Sequence, residues 1–171
     1  MIKAIDIARF FAEKGSGSPK TTNAKLEKLT FYAQSYYLGI YGVPLFEEAI
    51  IAGEHGPRVP SLHLYGDHGD GETSINNFSG APIQDPKTLK FLNAVWNTYG
   101  GFGADLLRRM TLADPPWINA RKLNEESPKI TQESMRDHFS SRADDIDLEG
   151  GNALIKSIFG QEAVAIPSSI D

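Results

Sequence analysis

The sequence predicts a mainly α-helical fold, a compact single-domain helical bundle with at most a small β element near residues 45–60. Its 171 residues suffice for one domain of ordinary size, and 40% hydrophobic with 23% charged residues is typical of a globular chain. Apolar residues recur at helical spacing in several segments that end at glycine. The apolar patch Ala49–Ala52, bracketed by Pro44 and Pro57, favours a strand or an irregular extended segment instead.

The N-terminal part of the chain contains two predicted helices. Residues 3–14 place apolar side chains on one side at helical spacing. The strongest pattern is a nearly continuous apolar stripe over residues 24–41, and Gly42 ends it. Thr22 or Asn23 can cap this helix, because both side chains can accept a hydrogen bond from the first turn.

Shorter helices are predicted in the C-terminal part. Asp85 and the proline after it open a helix that Gly100 closes. A short helix follows over residues 103–111, another begins at the Pro115–Pro116 pair, and Thr131 can cap the last. We therefore predict one domain over residues 1–160 and a flexible tail over residues 161–171.

The composition narrows the classes of function. The net charge of −5 and pI of about 5.4 argue against broad binding to a phosphate backbone and are compatible with a basic protein partner. Without cysteine, neither disulfides nor thiolate metal sites can form. The first residues carry charges where a secretory leader would be apolar, and no apolar run is long enough to cross a bilayer. The sequence therefore predicts a cytoplasmic protein.

Catalytic and metal-binding patterns are weak. Histidines and aspartates occur close together in one region, namely His55, His63, Asp67, His68 and Asp70, but their spacing matches no helical ligand pair. The chain has no Gly-x-Ser-x-Gly elbow and no phosphate-binding loop. We predict no catalytic, cofactor-binding or metal-ligating residue, and no enzymatic activity. A metal-dependent enzyme built around His55 and His63 remains an alternative.

Two patterns point to binding. Five aromatic residues lie between Phe31 and Tyr41 on one predicted helix, more than one buried face accommodates, so some tyrosines are expected at a protein interface. The predicted helices around residues 87–111 resemble a helix-turn-helix carrying Arg108 and Arg109. A DNA-binding transcriptional regulator is therefore the alternative to a protein-binding function.

The chain also resembles a known family, the Panacea domain of SocA-like antitoxins and phage-associated proteins. The first half of the resemblance is the segment "NAKLEKLTFYAQSYYLGIYGVPLFEEAIIAGEHGPRVPSLHLYG", and the second is "VWNTYGGFGADLLRRMTLADPPWINAR". The chain departs from the family pattern at Gly53, at Arg58, and in the polar segment 66–80 of the predicted surface loop 66–86, which is longer than in other members. If the partner is selected by variable surface residues, these departures are where a particular toxin would be chosen.

The resemblance implies an antitoxin that binds and neutralises a co-encoded toxin, and in some members delivers that toxin to a Clp-type protease. The stretch "EHGPRVP" is then a stiff corner that displays Glu54 and Arg58, because its prolines restrict the backbone. We expect Trp117 to anchor the core. We expect six residues to be exposed and to contact the partner: Lys25, Lys28, Tyr32, Tyr36, His55 and Arg58.

Overall fold

The protein is a mainly α-helical domain with one small antiparallel sheet, as the sequence predicts. The computed structural model describes residues 1–16, 21–65 and 80–150. The described helices are α1 (Ala4–Lys14), α2 (Asn23–Tyr41), α3 (Pro86–Tyr99), α4 (Ala104–Ala113), α5 (Pro115–Arg121) and α6 (Gln132–Ser140). Short 3-10 helices cover Pro60–Tyr65 and Ala143–Asp145. The strands are β1 (Ile50–Gly53), β2 (Gly56–Arg58) and β3 (Lys129–Ile130).

The helix termini follow the predicted capping residues. The side chain of Thr22 accepts a hydrogen bond from the Lys25 N–H at 3.2 Å, and α2 ends at Gly42 in the left-handed conformation, with φ 74°. Asp85 caps α3 by accepting from Thr88, and Thr131 caps α6. Local sequence therefore sets where these three helices begin.

Helix α2 is the centre of the domain. It packs against α1, α3, α4, α6 and β2. Helix α6 approaches α2 closely at Gly39: a Cβ atom added there would lie only 2.5 Å from the backbone carbonyl carbon of Phe139, so the position has room only for glycine. The core is therefore built around α2, with the rings of Phe31 and Phe139 packed edge to face.

The sheet forms a corner on the side of α2. Strand β1 lies between β2 and β3, and both pairings are antiparallel. Gly53 pairs with Gly56, so Glu54 and His55 form the two-residue tip of a β1–β2 hairpin. Gly56 has φ 111°, which glycine adopts without strain. The predicted stiff corner is therefore a tight hairpin, whereas β3 lies outside the region where the sequence indicates β structure.

Some predictions fall outside the described residues. The structure gives no account of most of the predicted loop, residues 66–79, or of the boundary at residue 160. The same holds for His68, Asp67 and Asp70 and for the side chain of His63. In the ranges that are described, no helix combines the length and the apolar character needed to cross a membrane.

Candidate partner-binding surface

The six predicted contact residues fall into a buried and an exposed group. The expectation of exposure is wrong for four of them, since Lys28 is 3% exposed, Tyr36 is fully buried, and Lys25 and Tyr32 are buried as well. The reason is that α2 has neighbours on most of its circumference, so its polar positions are covered too. His55 and Arg58 are exposed, as predicted, on the hairpin. Whether any of the six contacts a partner stays a prediction.

Buried side chains of α2 hold one side of the hairpin. Lys28 Nζ donates a hydrogen bond to the carbonyl oxygen of Pro57 at 3.0 Å, and the Glu27 carboxylate accepts one from the Val59 N–H at 3.1 Å. Burial lowers the pKa of Lys28, the nearby cations Arg58 and Arg108 lower it further, and only Glu27 acts in the opposite direction. The lysine expected to be a contact therefore fixes the backbone of β2.

Helix α5 holds the other side of the hairpin. Trp117 Nε1 donates to the carbonyl oxygen of Gly53 at 2.8 Å, and Arg121 Nη1 donates to that of Ala52 at 3.2 Å. Trp117 is half-buried and packs against the core, so its anchoring role extends to β1. The hairpin is thus bound to side chains on two helices, while Glu54, His55 and Arg58 stay exposed.

Two more polar residues of α2 fix other segments. Gln34 donates to the carbonyl oxygen of Phe46 at 2.7 Å and accepts from the Leu45 N–H at 2.8 Å, which fixes the chain after Pro44. Lys25 Nζ donates to the carbonyl oxygen of Gly100 at 2.6 Å and lies 5.4 Å from the Trp96 ring centroid. Gln34 and Lys25, which belong to the segment that resembles the family, therefore hold the chain near Phe46 and near Gly100 in place.

A buried tyrosine cluster joins α2 to α3. The rings of Tyr32 and Tyr99 stack with centroids 4.4 Å apart, and the hydroxyls of Tyr36 and Tyr99 are hydrogen-bonded to each other. Tyr32 also donates to Asp114 at 3.2 Å, and Tyr36 to Asp145 at 3.0 Å. Burial is the main cause that raises the pKa of both Tyr32 and Tyr36; the neighbouring Tyr99 adds to the rise, and Arg142 opposes it.

Arg142 connects this cluster to the end of α6. Its guanidinium donates to Asp145 at 2.8 Å and to Asp114 at 3.1 Å, and it lies 4.9 Å from the centroid of the Phe139 ring. Burial raises the pKa of Asp114, and Arg142 opposes that shift. Sequence reasoning missed this network because the contacts that close it join residues far apart in the chain, such as Tyr36 with Tyr99 and Arg142 with Asp114.

Helix α4 presents exposed charged and apolar side chains beside the hairpin. Asp105 accepts hydrogen bonds from Arg108 at 2.9 Å and from Arg109 Nε at 3.0 Å, and these bonds lower the pKa of Asp105. On α4 Leu106 is 44% exposed, and Phe102, which lies in the turn before α4, is 37% exposed. Sequence reasoning considered the two arginines only for DNA binding, and it did not consider the apolar pair.

Metal chemistry finds little support in the described residues. Among them, no group of three or more histidine, aspartate or glutamate side chains is placed to hold a metal ion. His55 lies at the hairpin tip, and the other histidines of the metal hypothesis lie outside the part of the chain whose side chains are described. The arrangement is suited to presenting a binding surface, because exposed side chains lie on a backbone that buried polar side chains hold in place.

Comparison with known proteins identifies the family. The family model described as antitoxin SocA-like, Panacea domain, matches residues 26–118, which is more than half of the chain. Searches of curated proteins and of solved structures gave no match. The matched range includes most of α2, the whole hairpin and α4, so it contains the hairpin and three of its anchors, Glu27, Lys28 and Trp117, whereas Arg121 lies beyond it. The chain therefore belongs to the family of SocA-like antitoxins that have a Panacea domain.

Proposed function

We propose that this protein is a cytoplasmic, non-enzymatic antitoxin that neutralises a co-encoded protein toxin by direct contact through the β1–β2 hairpin. The observation that carries the proposal is the exposed hairpin tip on a backbone held from both sides, by Lys28 and by Trp117. Such a preformed surface loses little conformational entropy when it binds. Family membership supplies the class of partner.

The six predicted contact residues take two roles in this proposal. His55 and Arg58 are exposed and touch the toxin directly. The four buried residues act through the surfaces they hold, so their substitution weakens binding by loosening the fold. The roles differ in a measurable way, because a direct contact can be removed without loss of stability.

The test is survival of cells in which the open reading frame adjacent to the gene is induced, alone and together with this chain. Wild-type chain is expected to restore growth. The double variant His55→Ala, Arg58→Ala is expected to bind the purified toxin at least about 10-fold more weakly, a loss of about 1.4 kcal/mol. Its unfolding midpoint in urea is expected to match that of the wild type, because both side chains are exposed.

Lys90→Ala is the matched control. Lys90 is exposed on α3, whose Lys87 lies over the Tyr41 ring at 4.1 Å. Tyr41 is at the opposite end of α2 from Lys28, about 20 Å away along a helix with a rise of about 1.5 Å per residue. Equal toxin binding by the control and by the double variant would reject the hairpin as the contact surface.

Delivery of the toxin to a Clp-type protease is a further step that the family resemblance allows. It predicts that the toxin disappears faster when the antitoxin is present, and that deletion of the protease removes this difference. Direct inhibition predicts a toxin of unchanged lifetime that remains bound. Toxin half-life after inhibition of translation separates the two routes.

DNA binding through residues 87–111 is the second candidate function. The observation in its favour is the pair of exposed arginines on α4, Arg108 and Arg109. Against it, both arginines are bound to Asp105, whose carboxylate would face the phosphates. If DNA is the target, the chain binds its own promoter with strong salt dependence, and Arg109→Ala weakens that binding while toxin neutralisation is unchanged.

A further inference from the structure

Gly53 ends β1, and the side chain of Arg58 from β2 fills the space beside it. A Cβ atom built on Gly53 would lie 2.7 Å from Cδ and 3.1 Å from Cγ of Arg58. Carbon atoms in ordinary contact are about 3.5–4.0 Å apart. The aliphatic stem of Arg58 therefore occupies the place where a side chain at position 53 would begin.

The strand register determines where this stem points. Ile51 pairs with Arg58, and Gly53 lies two residues further along β1, nearer the tip of the hairpin. Because alternate residues of a strand point to the same side, Gly53 is the diagonal neighbour of Arg58 on one face of the sheet. The stem of Arg58 therefore runs along the hairpin towards its tip, where Glu54 and His55 are exposed.

The backbone conformation of Gly53 does not itself require glycine. Its φ lies outside the left-handed region, whereas the φ of Gly56 is 111°. Apart from the Arg58 stem, the nearest atom to the built Cβ is the carbonyl oxygen of Gly56 at 3.1 Å, which would have to move by a few tenths of an ångström. The main obstacle to a side chain at position 53 is therefore a flexible side chain that can move aside.

The backbone against which the Arg58 stem lies is held in place. The carbonyl oxygen of Gly53 accepts a hydrogen bond from Trp117 Nε1 at 2.8 Å, and that of Ala52 accepts one from Arg121 at 3.2 Å. A free arginine side chain samples many rotamers and loses this freedom when it binds a partner. A stem placed against a fixed backbone has fewer rotamers beforehand, so less entropy is lost on binding.

We propose that Gly53 is a positioning residue of the toxin contact. By leaving room for the Arg58 stem, it directs the guanidinium group towards the tip, so that Arg58 and His55 meet the toxin on one surface. This inference rests on the proposed function, which assigns a direct contact to both side chains. A side chain at position 53 turns Arg58 away, so Gly53 acts through Arg58.

A double-mutant cycle in the full chain tests this dependence. Gly53→Ala, Arg58→Ala and the double variant are compared with the wild type for affinity towards the purified protein encoded by the adjacent open reading frame. Each single variant is expected to bind about 5-fold more weakly, and the double variant no more weakly than Arg58→Ala, because its contact is already lost. The urea midpoints of all three are expected to stay close to that of the wild type, since the Arg58 stem can move aside.

Gly56→Ala is the matched control for a purely structural role. Its φ is left-handed, and a Cβ atom there would lie 2.9 Å from Cε of Lys28, which anchors the hairpin. Gly56→Ala is expected to lower the urea midpoint and to weaken binding further when combined with Arg58→Ala, because His55 is displaced as well. Gly101→Ala adds a Cβ atom that meets nothing within 4 Å and is expected to bind as the wild type does.

A measurement on the free protein tests the inference without the toxin. Nuclear Overhauser cross-peaks are expected between the α hydrogens of Gly53 and the δ hydrogens of Arg58, because Cδ lies beside the hydrogen that a Cβ atom would replace. Absence of these cross-peaks in the wild type would overturn the inference, whatever the toxin binds.

The contrary outcomes are distinguishable. If the wild type neither binds the adjacent gene product nor rescues growth, the proposed function fails and this inference fails with it. If the wild type binds and either Gly53→Ala or Arg58→Ala binds equally well, only the positioning role is rejected. That role is also rejected if Gly53→Ala weakens binding by the same factor in the Arg58→Ala background, because the added methyl group would then act without Arg58.

Discussion

At the scale of single residues, the polar positions of α2 are structural anchors. Lys28 links α2 to the hairpin, because its ammonium group donates a hydrogen bond to the Pro57 carbonyl oxygen 29 residues further along the chain. Gln34 does the same for the chain around Phe46. A buried polar group without a partner is costly, so these positions accept few other residues. Sequence patterns that look like contact residues can thus be anchors for a contact surface elsewhere.

Lys28→Ala tests this role. The substitution leaves the Pro57 carbonyl oxygen buried without its donor and removes the packed lysine stem, so the free energy of unfolding is expected to fall by about 2 kcal/mol. Lys28→Met retains most of the packing volume and isolates the missing hydrogen bond. Lys90→Ala should change the free energy by no more than about 0.5 kcal/mol. Urea unfolding measures all three, and a Lys28→Ala variant as stable as the wild type would show that the anchor is dispensable.

At the scale of the elements, the helix positions and the β element near residues 45–60 were predictable, whereas strand β3 was not. Caps and terminal glycines act within one turn, so Thr22, Asp85 and Thr131 could be identified from sequence alone. Strand β3 has only two residues, and it forms by pairing with the second edge of β1. No sequence pattern within Lys129–Ile130 predicts that pairing. Its cause lies about 80 residues away, which is beyond the reach of local rules.

The contact between α2 and α6 gives a prediction at this scale. Gly39→Ala places a Cβ atom 2.5 Å from the Phe139 backbone, and backbone atoms cannot move aside as a flexible side chain can. Despite the better helix propensity of alanine, the free energy of unfolding is expected to fall by about 2 kcal/mol, which lowers the Tm by about 4–8 °C for a domain of this size.

Gly101→Ala is the matched control for Gly39→Ala. A Cβ atom at Gly101 meets nothing within 4 Å, so its Tm should stay close to that of the wild type. Thermal unfolding followed by circular dichroism measures both variants. If the two alanine variants melted together, the close approach of α6 would not contribute to stability.

At the scale of the whole molecule, burial explains why the candidate site was predicted only in part. The sequence indicated the hairpin corner correctly, because proline restricts the backbone and glycine permits the tight turn wherever they occur. It placed four α2 residues on the surface, because nothing in the apolar stripe of residues 24–41 shows that six other elements pack against the helix. Exposure is a property of the assembled domain, so it follows only from the packing of the elements around each residue.

The tyrosine cluster is expected to make the free energy of unfolding of the whole domain decrease as the pH rises above 10. Tyr32 and Tyr36 have raised pKa values in the folded chain, whereas both titrate near 10.0 when unfolded. Above pH 10 the unfolded chain therefore releases protons that the folded chain retains, and stability falls as pH rises, by up to about 1.4 kcal/mol per pH unit for each tyrosine. Buried Lys25 and Lys28, whose pKa values are lowered, act in the opposite direction below pH 10.5.

Comparison of the wild type with Tyr36→Phe isolates the tyrosine contribution, because the lysine contribution is common to both proteins. Tyr36→Phe is expected to lose about 1–2 kcal/mol at neutral pH, since it removes the hydrogen bonds to Tyr99 and Asp145. Above pH 10 its stability should fall less steeply with pH than that of the wild type. The measurement is the free energy of unfolding in urea at several pH values from neutral to about 11. Parallel pH profiles in the two proteins would mean that Tyr36 titrates alike in the folded and unfolded chains, and that water reaches the cluster joining α2, α3 and the end of α6.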